Sequence, residues 1–317
     1  MKLYLILTAI ICLTLALLPL GFINNSHRQN SNIETTQTES LSDSTVTVFL
    51  STKNETADIE ITDYLIGAVA AEMPASYNIE ALKAQAVASY SYLMWVRKNA
   101  DNPDYDITSD PATHQGYLTE DEMKAKWGDK YETYRNKILE AVSAVYGEYM
   151  TYKGEPILAL FHAISPGTTQ NSKDVWESEL PYIKPKSAPG DTLSPDYDSE
   201  VSVPCQKIRD LFSVKSQVSD SELIDISLLS DTSFVKEICL GEKTVSAGDL
   251  ASKLGLRSPY FTAEYKQGSY IFKVKGYGHG LGMSQYSADY MARQGSTYSE
   301  ILAHFYEGIK IEKAQKL

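Results

Sequence analysis

Between Tyr64 and Tyr92 the chain reads YLIGAVAAEMPASYNIEALKAQAVASYSY, two helix-forming stretches divided by a proline. Pro74 disfavours the helical conformation in the residue before it, so a first helix over Tyr64–Ala71, opened by Thr62 or Asp63, has to stop at Met73. A second helix is expected from Asn78, an N-cap residue type, with Glu80 in its first turn, to about Lys98. Its apolar stripe is Leu82, Ala86, Tyr90 and Leu93, at steps of three to four, with Lys83 and Gln85 on the flanks. The proline thus leaves one acid, Glu72, at a helix C-terminus among Ala70, Ala71, Met73 and Pro74. The negative end of the helix dipole and a small apolar shell both disfavour a carboxylate, so its pKa is expected to be raised. An acid chosen for capping would sit at the other end. The residues alone leave two readings open, a structural acid at a helix end and a carboxyl held partly out of water for proton transfer.

The N-terminus sets the compartment. From Leu3 to Ile23 the sequence carries no charge, and its roughly 21 residues match the ~20 that a helix needs to cross a bilayer. Lys2 before it favours a cytoplasmic N-terminus with the remainder outside. A cleaved signal peptide would have a shorter apolar region and a small-residue cleavage site, and neither is evident near Leu20 to Asn25. Cys12 follows Ile10 and Ile11, bulky where a lipid-attachment site wants small residues. Residues 1–23 are therefore expected to be a transmembrane anchor. Residues 24–44 are polar apart from Ile33 and Leu41, too poor in apolar groups to fold alone, and read as a tether. Residues 45–317 are long enough for a sizeable core.

Charge and cysteine usage remove several function classes. Twenty-nine basic residues against 41 acidic give a net charge of -12, without a dense run of Lys and Arg. Nucleic acid is excluded as a partner on that balance, whereas a neutral polysaccharide is not. Cys205 and Cys239 are too far apart for a CxxC metal site, and two thiols do not make a disulfide scaffold. No HExxH or GxSxG occurs, so zincin and serine hydrolase readings lose their usual support.

Alternating apolar residues predict strands over Val46–Leu50 and Ala57–Ile61, turned at Lys53 and Asn54. A helix is expected over Tyr131–Tyr146, ended by Gly147. Glu148–Tyr152 and Pro156–His162 bracket Lys153-Gly154 as a hairpin, with Ile157–Phe161 apolar enough for a central strand. The Pro- and Gly-rich stretch that follows is long for a connection, and long ordered loops tend to be functional. Val201 to Phe261 reads as an inserted subdomain, with a small helix opened by a capping box at Ser246 and Asp249. A strand over Tyr270–Lys275 leads into GYGHGLGMSQ, and a last helix is capped by Thr297 with Glu300 and ended by Gly308.

Two further segments carry candidate chemistry. In Gly276–Gln285 four alternating glycines imply unusual backbone dihedrals or close approach to the main chain. The glycines match neither a Walker loop nor GxGxxG. His279, Ser284 and Gln285 are suited to hydrogen-bonding sugar hydroxyls and amides, and a glycine bulge with one packed histidine is the competing account. In HAISPGTT, His162, Ser165 and Thr169 could line a cleft and Trp176 stack on a sugar, or the tryptophan is core and the rest a turn. Asp110, His114 and Gln115 are polar loop residues of the same standing.

Taken together, AAEMP at 70–74, EALKAQAVAS at 80–89, FHAISPGTT with DVW at 174–176, and GYGHGLGMSQYSADYMA at 276–292 closely resemble the SpoIID/LytB domain family, over most of Ile61 to Ile311. The resemblance implies a lytic transglycosylase that cleaves peptidoglycan glycan strands stripped of stem peptides during engulfment of the forespore, leaving 1,6-anhydro-N-acetylmuramic acid ends. It implies as partners a SpoIIP-like amidase and a SpoIIM-like membrane protein, in the mother-cell engulfing membrane with the catalytic domain outside the cytoplasm. Glu72 falls on the family's catalytic glutamate. His162, His279, Ser284 and Gln285 fall on its central histidine and glycine-rich signature, and with Gln85 they are the expected substrate-binding set. Ser89 and Tyr90 stand where an arginine is common, and Pro166 replaces a serine or glycine. Some clostridial members bind zinc through one His and two Cys; here His114 has no cysteine within reach, so no such zinc and no cofactor are expected. Some LytB relatives instead enhance an amidase without catalysis. The expected architecture is α+β, mixed helices and antiparallel strands, with an inserted smaller subdomain at about residues 196–262 forming a groove with the main body.

Overall fold

The computed structural model describes residues 45–99, 102–176, 179–215 and 217–314. The expected anchor and tether lie outside the described residues, and among those no helix is long and apolar enough to cross a membrane. The fold is α+β.

A hairpin of β1 (Thr45–Leu50) and β2 (Glu55–Glu60) opens it, and β3 (Ile107–Thr108) joins β1 in parallel. Asn54 turns the hairpin at φ 54, with its N–H on the Leu50 carbonyl. Helix α1 (Ile61–Glu72) follows β2 without a gap and begins three residues before the expected start, because Ile61 is drawn into the core; Glu60 precedes it and no side chain caps it. It ends where Pro74 requires, with Met73 extended at ψ 139. In α2 (Ile79–Asn99), the Asn78 side chain accepts the Glu80 N–H at 3.0 Å. Leu82, Ala86, Tyr90 and Leu93 are buried as expected, but so are Ala84, Gln85, Val87, Ala88 and Ser89. A helix covered on every side is a central one, and Gln85 is inside rather than on a flank.

Helix α3 (Glu120–Trp127) carries a capping box from Thr119 and Glu122, and α4 (Tyr131–Ala144) ends two residues short of Tyr146. The hairpin β4 (Glu148–Tyr152) and β5 (Glu155–Pro156) turns at Lys153-Gly154, both at positive φ. The central strand expected over Ile157–Phe161 does not form as a ladder. Ile157 N–H bonds the Met150 carbonyl at 3.2 Å and the Leu160 carbonyl accepts the Met283 N–H at 3.1 Å, but between them Leu158 N–H bonds the Tyr182 hydroxyl at 3.0 Å, and the Tyr306 hydroxyl also donates to the Leu160 carbonyl at 2.6 Å, so side chains interrupt the ladder. Only β6 (Phe161–His162) pairs.

After α5 (Ser172–Val175), residues 198 to 275 build two three-stranded antiparallel sheets around a second apolar cluster that includes Val203, Ile208, Ile238, Leu250 and Phe272. The elements are β7 (Asp198–Pro204), α6 (Cys205–Phe212), β8 (Ile224–Leu229), β9 (Val235–Leu240), β10 (Lys243–Ser246), α7 (Ala247–Leu254), β11 (Phe261–Lys266) and β12 (Ser269–Lys275). Ser246 caps α7 through the Asp249 N–H at 3.1 Å, but Asp249 pairs with Lys253 instead of reaching back, so the expected capping box is half made. Cys205 and Cys239 are free thiols. The chain returns to the main body through β13 (Met283–Ser284), α8 (Gln285–Arg293), α9 (Tyr298–Phe305), whose Thr297 and Glu300 form the expected capping box, and β14 (Lys310–Lys313) beside β4.

Candidate active site

Glu72 is the last residue of α1 and is partly exposed. Its Oε1 accepts the Gly116 N–H at 2.5 Å. Gly116 comes this close because Gly67 lets its segment lie on α1: a Cβ at 67 would fall 2.3 Å from the Tyr117 ring and 2.6 Å from the Leu118 carbonyl. Leu118 N–H also bonds the Gly67 carbonyl at 3.1 Å, and Tyr117 stacks on Tyr64 with centroids 5.6 Å apart. Gly116 itself has little room, since a Cβ there would meet Glu72 Oε1 at 3.0 Å.

Burial raises the Glu72 pKa, opposed by the Gly116 hydrogen bond and by the charge of Lys126. The raised pKa expected from sequence is met, with desolvation as the leading cause. The polar shell comes from elsewhere in the chain. Lys126 donates to the Ala70 carbonyl at 2.8 Å, neutralising the end of α1, and burial lowers its own pKa against the pull of Glu72. Tyr64 and Tyr92 are near enough that the Glu72 charge adds to the burial raising their pKa values. His114 packs edge-on to Tyr92, takes the Thr108 N–H on Nδ1 at 3.3 Å, and is pushed by burial to about 4. Among the described residues no three His, Cys, Asp or Glu side chains gather as a metal set.

Gln85 and Gln285 meet directly, Gln285 Nε2 donating to Gln85 Oε1 at 3.1 Å. Gln85 Nε2 passes the chain to the Ser89 hydroxyl at 3.2 Å, and Gln115 Nε2 bonds both the Ser89 carbonyl at 3.1 Å and the Tyr64 hydroxyl at 2.8 Å. All of these amides are buried. They tie the start of α8 to the loop that supplies Gly116, and do not face solvent.

The histidine and glycine motifs come together through the parallel pair β6 and β13, in which Met283 lies opposite Phe161 and Ser284 opposite His162. The glycine at 282 permits it: φ is +69, and a Cβ would sit 1.9 Å from the Leu160 carbonyl oxygen. His162 and His279 rings are 5.8 Å apart. His162 Nδ1–H donates to the Leu281 carbonyl at 3.0 Å, while His279 Nδ1 accepts the Leu281 N–H at 3.0 Å. Burial pushes His162 down to about 4 and, with the neighbouring His162 adding to it, His279 to about 3. Both are neutral, and His162 Nε2 is buried without a hydrogen-bond partner among the described residues. Ser284 donates to both oxygens of Asp191, at 2.7 and 2.8 Å.

Asp191 was not singled out by sequence reasoning. It lies in the long Pro- and Gly-rich loop, fully buried, and also accepts from the Ser165 N–H at 2.6 Å and the Ser287 hydroxyl at 2.8 Å. Burial raises its pKa against the hydrogen bonds of the Ser165, Ser284 and Ser287 hydroxyls and the Ser165 N–H. Gly116, Lys126 and Tyr92 were likewise missed as neighbours of the acid. Trp176 is half-buried against the main core.

The structure therefore joins Gln85 to Gln285, and His162 to His279 and Ser284, while Glu72 bonds Gly116 and none of those five. Its class follows from a match of residues 50–152, the stretch that holds Glu72 and its shell, to the family described as stage II sporulation protein, SpoIID. The chain is 34% identical to stage II sporulation protein D of Bacillus subtilis over 272 residues, 85% of this chain and 79% of that one. It is 33% identical, with the same coverage, to stage II sporulation protein D of Bacillus amyloliquefaciens. A more distant likeness, 27% over 297 residues, is to the amidase enhancer of Bacillus subtilis, covering 77% of this chain and 39% of that protein. The chain belongs to the stage II sporulation protein D family.

Proposed function

We propose that the protein acts on the cell wall in sporulation as a membrane-anchored lytic transglycosylase, with Glu72 serving first as acid and then as base. The supporting observation is a partly exposed glutamate whose pKa burial raises, with one oxygen fixed by a backbone N–H. Oε1 is occupied as an acceptor, so the proton is carried on Oε2. Glu72 gives that proton to the glycosidic oxygen as the bond from C1 of N-acetylmuramic acid breaks. The 6-hydroxyl of the same sugar then attacks C1 and returns its proton to Glu72. One carboxyl suffices because the substrate supplies the nucleophile that a second carboxylate would otherwise supply or activate. The strand lies in a groove between the main body and residues 196–262, and an anchor at residues 1–23 holds the domain outside the cytoplasm. A SpoIIP-like amidase removes stem peptides beforehand, and a SpoIIM-like membrane protein completes the assembly.

Peptide-free glycan strands incubated with the purified protein should shorten and gain 1,6-anhydro ends by mass spectrometry, and Glu72→Gln should yield neither. Reducing ends, or equal cleavage by both proteins, would sink the mechanism. The likeness to an amidase enhancer favours one alternative, a non-catalytic glycan-binding protein that stimulates an amidase. On that reading Glu72→Gln leaves amidase stimulation intact and the wild type releases no anhydro product.

A further inference from the structure

Beyond Glu72 the chain runs through Pro74 and Ala75 into a concavity lined by Ser76, Tyr77, Leu193, Tyr286, Tyr290, Asp289 and Arg293, with a volume of about 250 Å³. Ser76 is four residues from Glu72, so even a fully extended chain keeps the two within ~14 Å. A polymer running from the acid along this segment would bring neighbouring sugars within reach of the concavity. The wall is aromatic: Tyr77 meets Tyr286 edge-on at 6.2 Å, and Tyr290 packs closely on Gly190, where a Cβ would fall 2.5 Å from Tyr290 Cβ. Leu193 projects beside them, 66% exposed.

The cation in its wall is Arg293. Asp289 is buried and doubly committed, Oδ1 to the Asn78 N–H at 2.6 Å and Oδ2 to Arg293 Nε at 2.7 Å. That contact pins the guanidinium by its Nε side, while the Arg293 side chain is 59% exposed. Lys137 donates to the Tyr77 carbonyl behind the wall and lies within the electrostatic reach of both Asp289 and Arg293. Asp191 and Asp196 also act on Tyr77, and Glu140 on Lys137, so what the concavity offers a ligand is the exposed Arg293 guanidinium itself and not a broad positive field. A planar guanidinium held at one edge presents its other nitrogens as a fork that matches a carboxylate.

We propose that Arg293 is a specificity-determining residue that binds the free lactyl carboxylate of a muramic acid residue, with Tyr77 and Tyr286 packing on its ring. The proposal rests on the glycan-cleaving reading and deepens it. A stem peptide converts that carboxylate to an amide, removing the charge Arg293 pairs with and adding bulk at the concavity. The site thus distinguishes a stripped strand from a peptide-bearing one by chemistry rather than by length.

The full-length chain carrying Glu72→Gln, which should bind without turnover, is titrated with peptide-free strands and with the same strands after carbodiimide amidation of the lactyl groups. Free strands should bind roughly 10- to 100-fold more tightly, the range for one charge-assisted contact. Adding Arg293→Gln should erase that preference by weakening only the free-strand complex, and Arg293→Lys should restore part of it. Equal affinity for both strands, or a loss in Arg293→Gln that is the same for both, overturns the role of Arg293 while leaving glycan binding in place. No binding of either strand overturns the glycan reading together with it.

Discussion

The acid and the glycine-rich signature are built on opposite plans. Glu72 stands at a helix end with one oxygen committed, one free, and some exposure to solvent. Around β6 and β13 most buried polar groups are matched internally, Ser284 to Asp191 and Gln285 to Gln85, while His279, bonded to Leu281, keeps partial exposure. The contrast teaches that much of a motif's polar chemistry can be spent on holding its own loops together. At Gly276 and Gly282 an added Cβ would collide with a carbonyl, at Gly278 and Gly280 with the His162 and Phe234 side chains, and the buried polar groups around them need partners.

The largest effect that would break this comparison is on turnover. Glu72→Gln should reduce strand cleavage about 10²–10⁴-fold, the usual contribution of a positioned acid and base. It should do so without loss of fold. A carboxyl with a raised folded-state pKa contributes stability below its unfolded pKa and loses it as pH rises through the folded value. The glutamine variant, which cannot ionise, should accordingly melt higher than the wild type at neutral pH and not in acid. A lower melting temperature at pH 7 would mean the carboxylate is held, not penalised.

Next come substitutions in the signature, which should cost stability first. Gly282→Ala places a methyl against the Leu160 carbonyl at positive φ and should destabilise by about 3 kcal/mol or more. Asp191→Ala leaves two hydroxyls and the Ser165 N–H without their acceptor and should cost a similar amount, about 3 kcal/mol. Denaturant melts check both. A fully stable Asp191→Ala with lost activity would move Asp191 into the chemistry.

Smaller is the pH response of the histidine pair. Their folded pKa values, about 4 for His162 and about 3 for His279, lie below the ~6.5 of an unfolded chain. Their contribution is therefore whole above pH ~6.5 and drains away as pH falls through about 4 for His162 and about 3 for His279. Melting temperature against pH should decline over that window, and His162→Gln should flatten it. The smallest expected change is Gln285→Leu, about 1 kcal/mol, with cleavage falling only in proportion to folded protein.

Local sequence rules read the acid's position well. Pro74 ended α1 beside Glu72, and the N-cap at Asn78, the turn at Lys153-Gly154 and the capping box at Thr297 follow from neighbours within a few residues. What could not be read is everything that depends on long-range approach. Gly116 meets Glu72 across 44 residues, and its only trace is Gly67, an unexplained glycine in a helix. Asp191 was one acid in a loop of many, with no periodicity to mark it. The strand expected at Ile157–Phe161 is interrupted because the Tyr182 and Tyr306 hydroxyls take up bonds in its middle, which an apolar run cannot reveal. Gln85 looked like a flank because the stripe beside it was read as one face of a helix that is covered all round.

The most direct test of the acid is its own titration. Gly116 N–H bonds Glu72 Oε1, so the Gly116 amide shift reports the ionisation of that carboxyl in an NMR pH series. The midpoint should lie above the ~4.3 of an ordinary glutamate, and the transition should vanish in Glu72→Gln. A midpoint at or below that value would contradict an acid held ready to donate a proton.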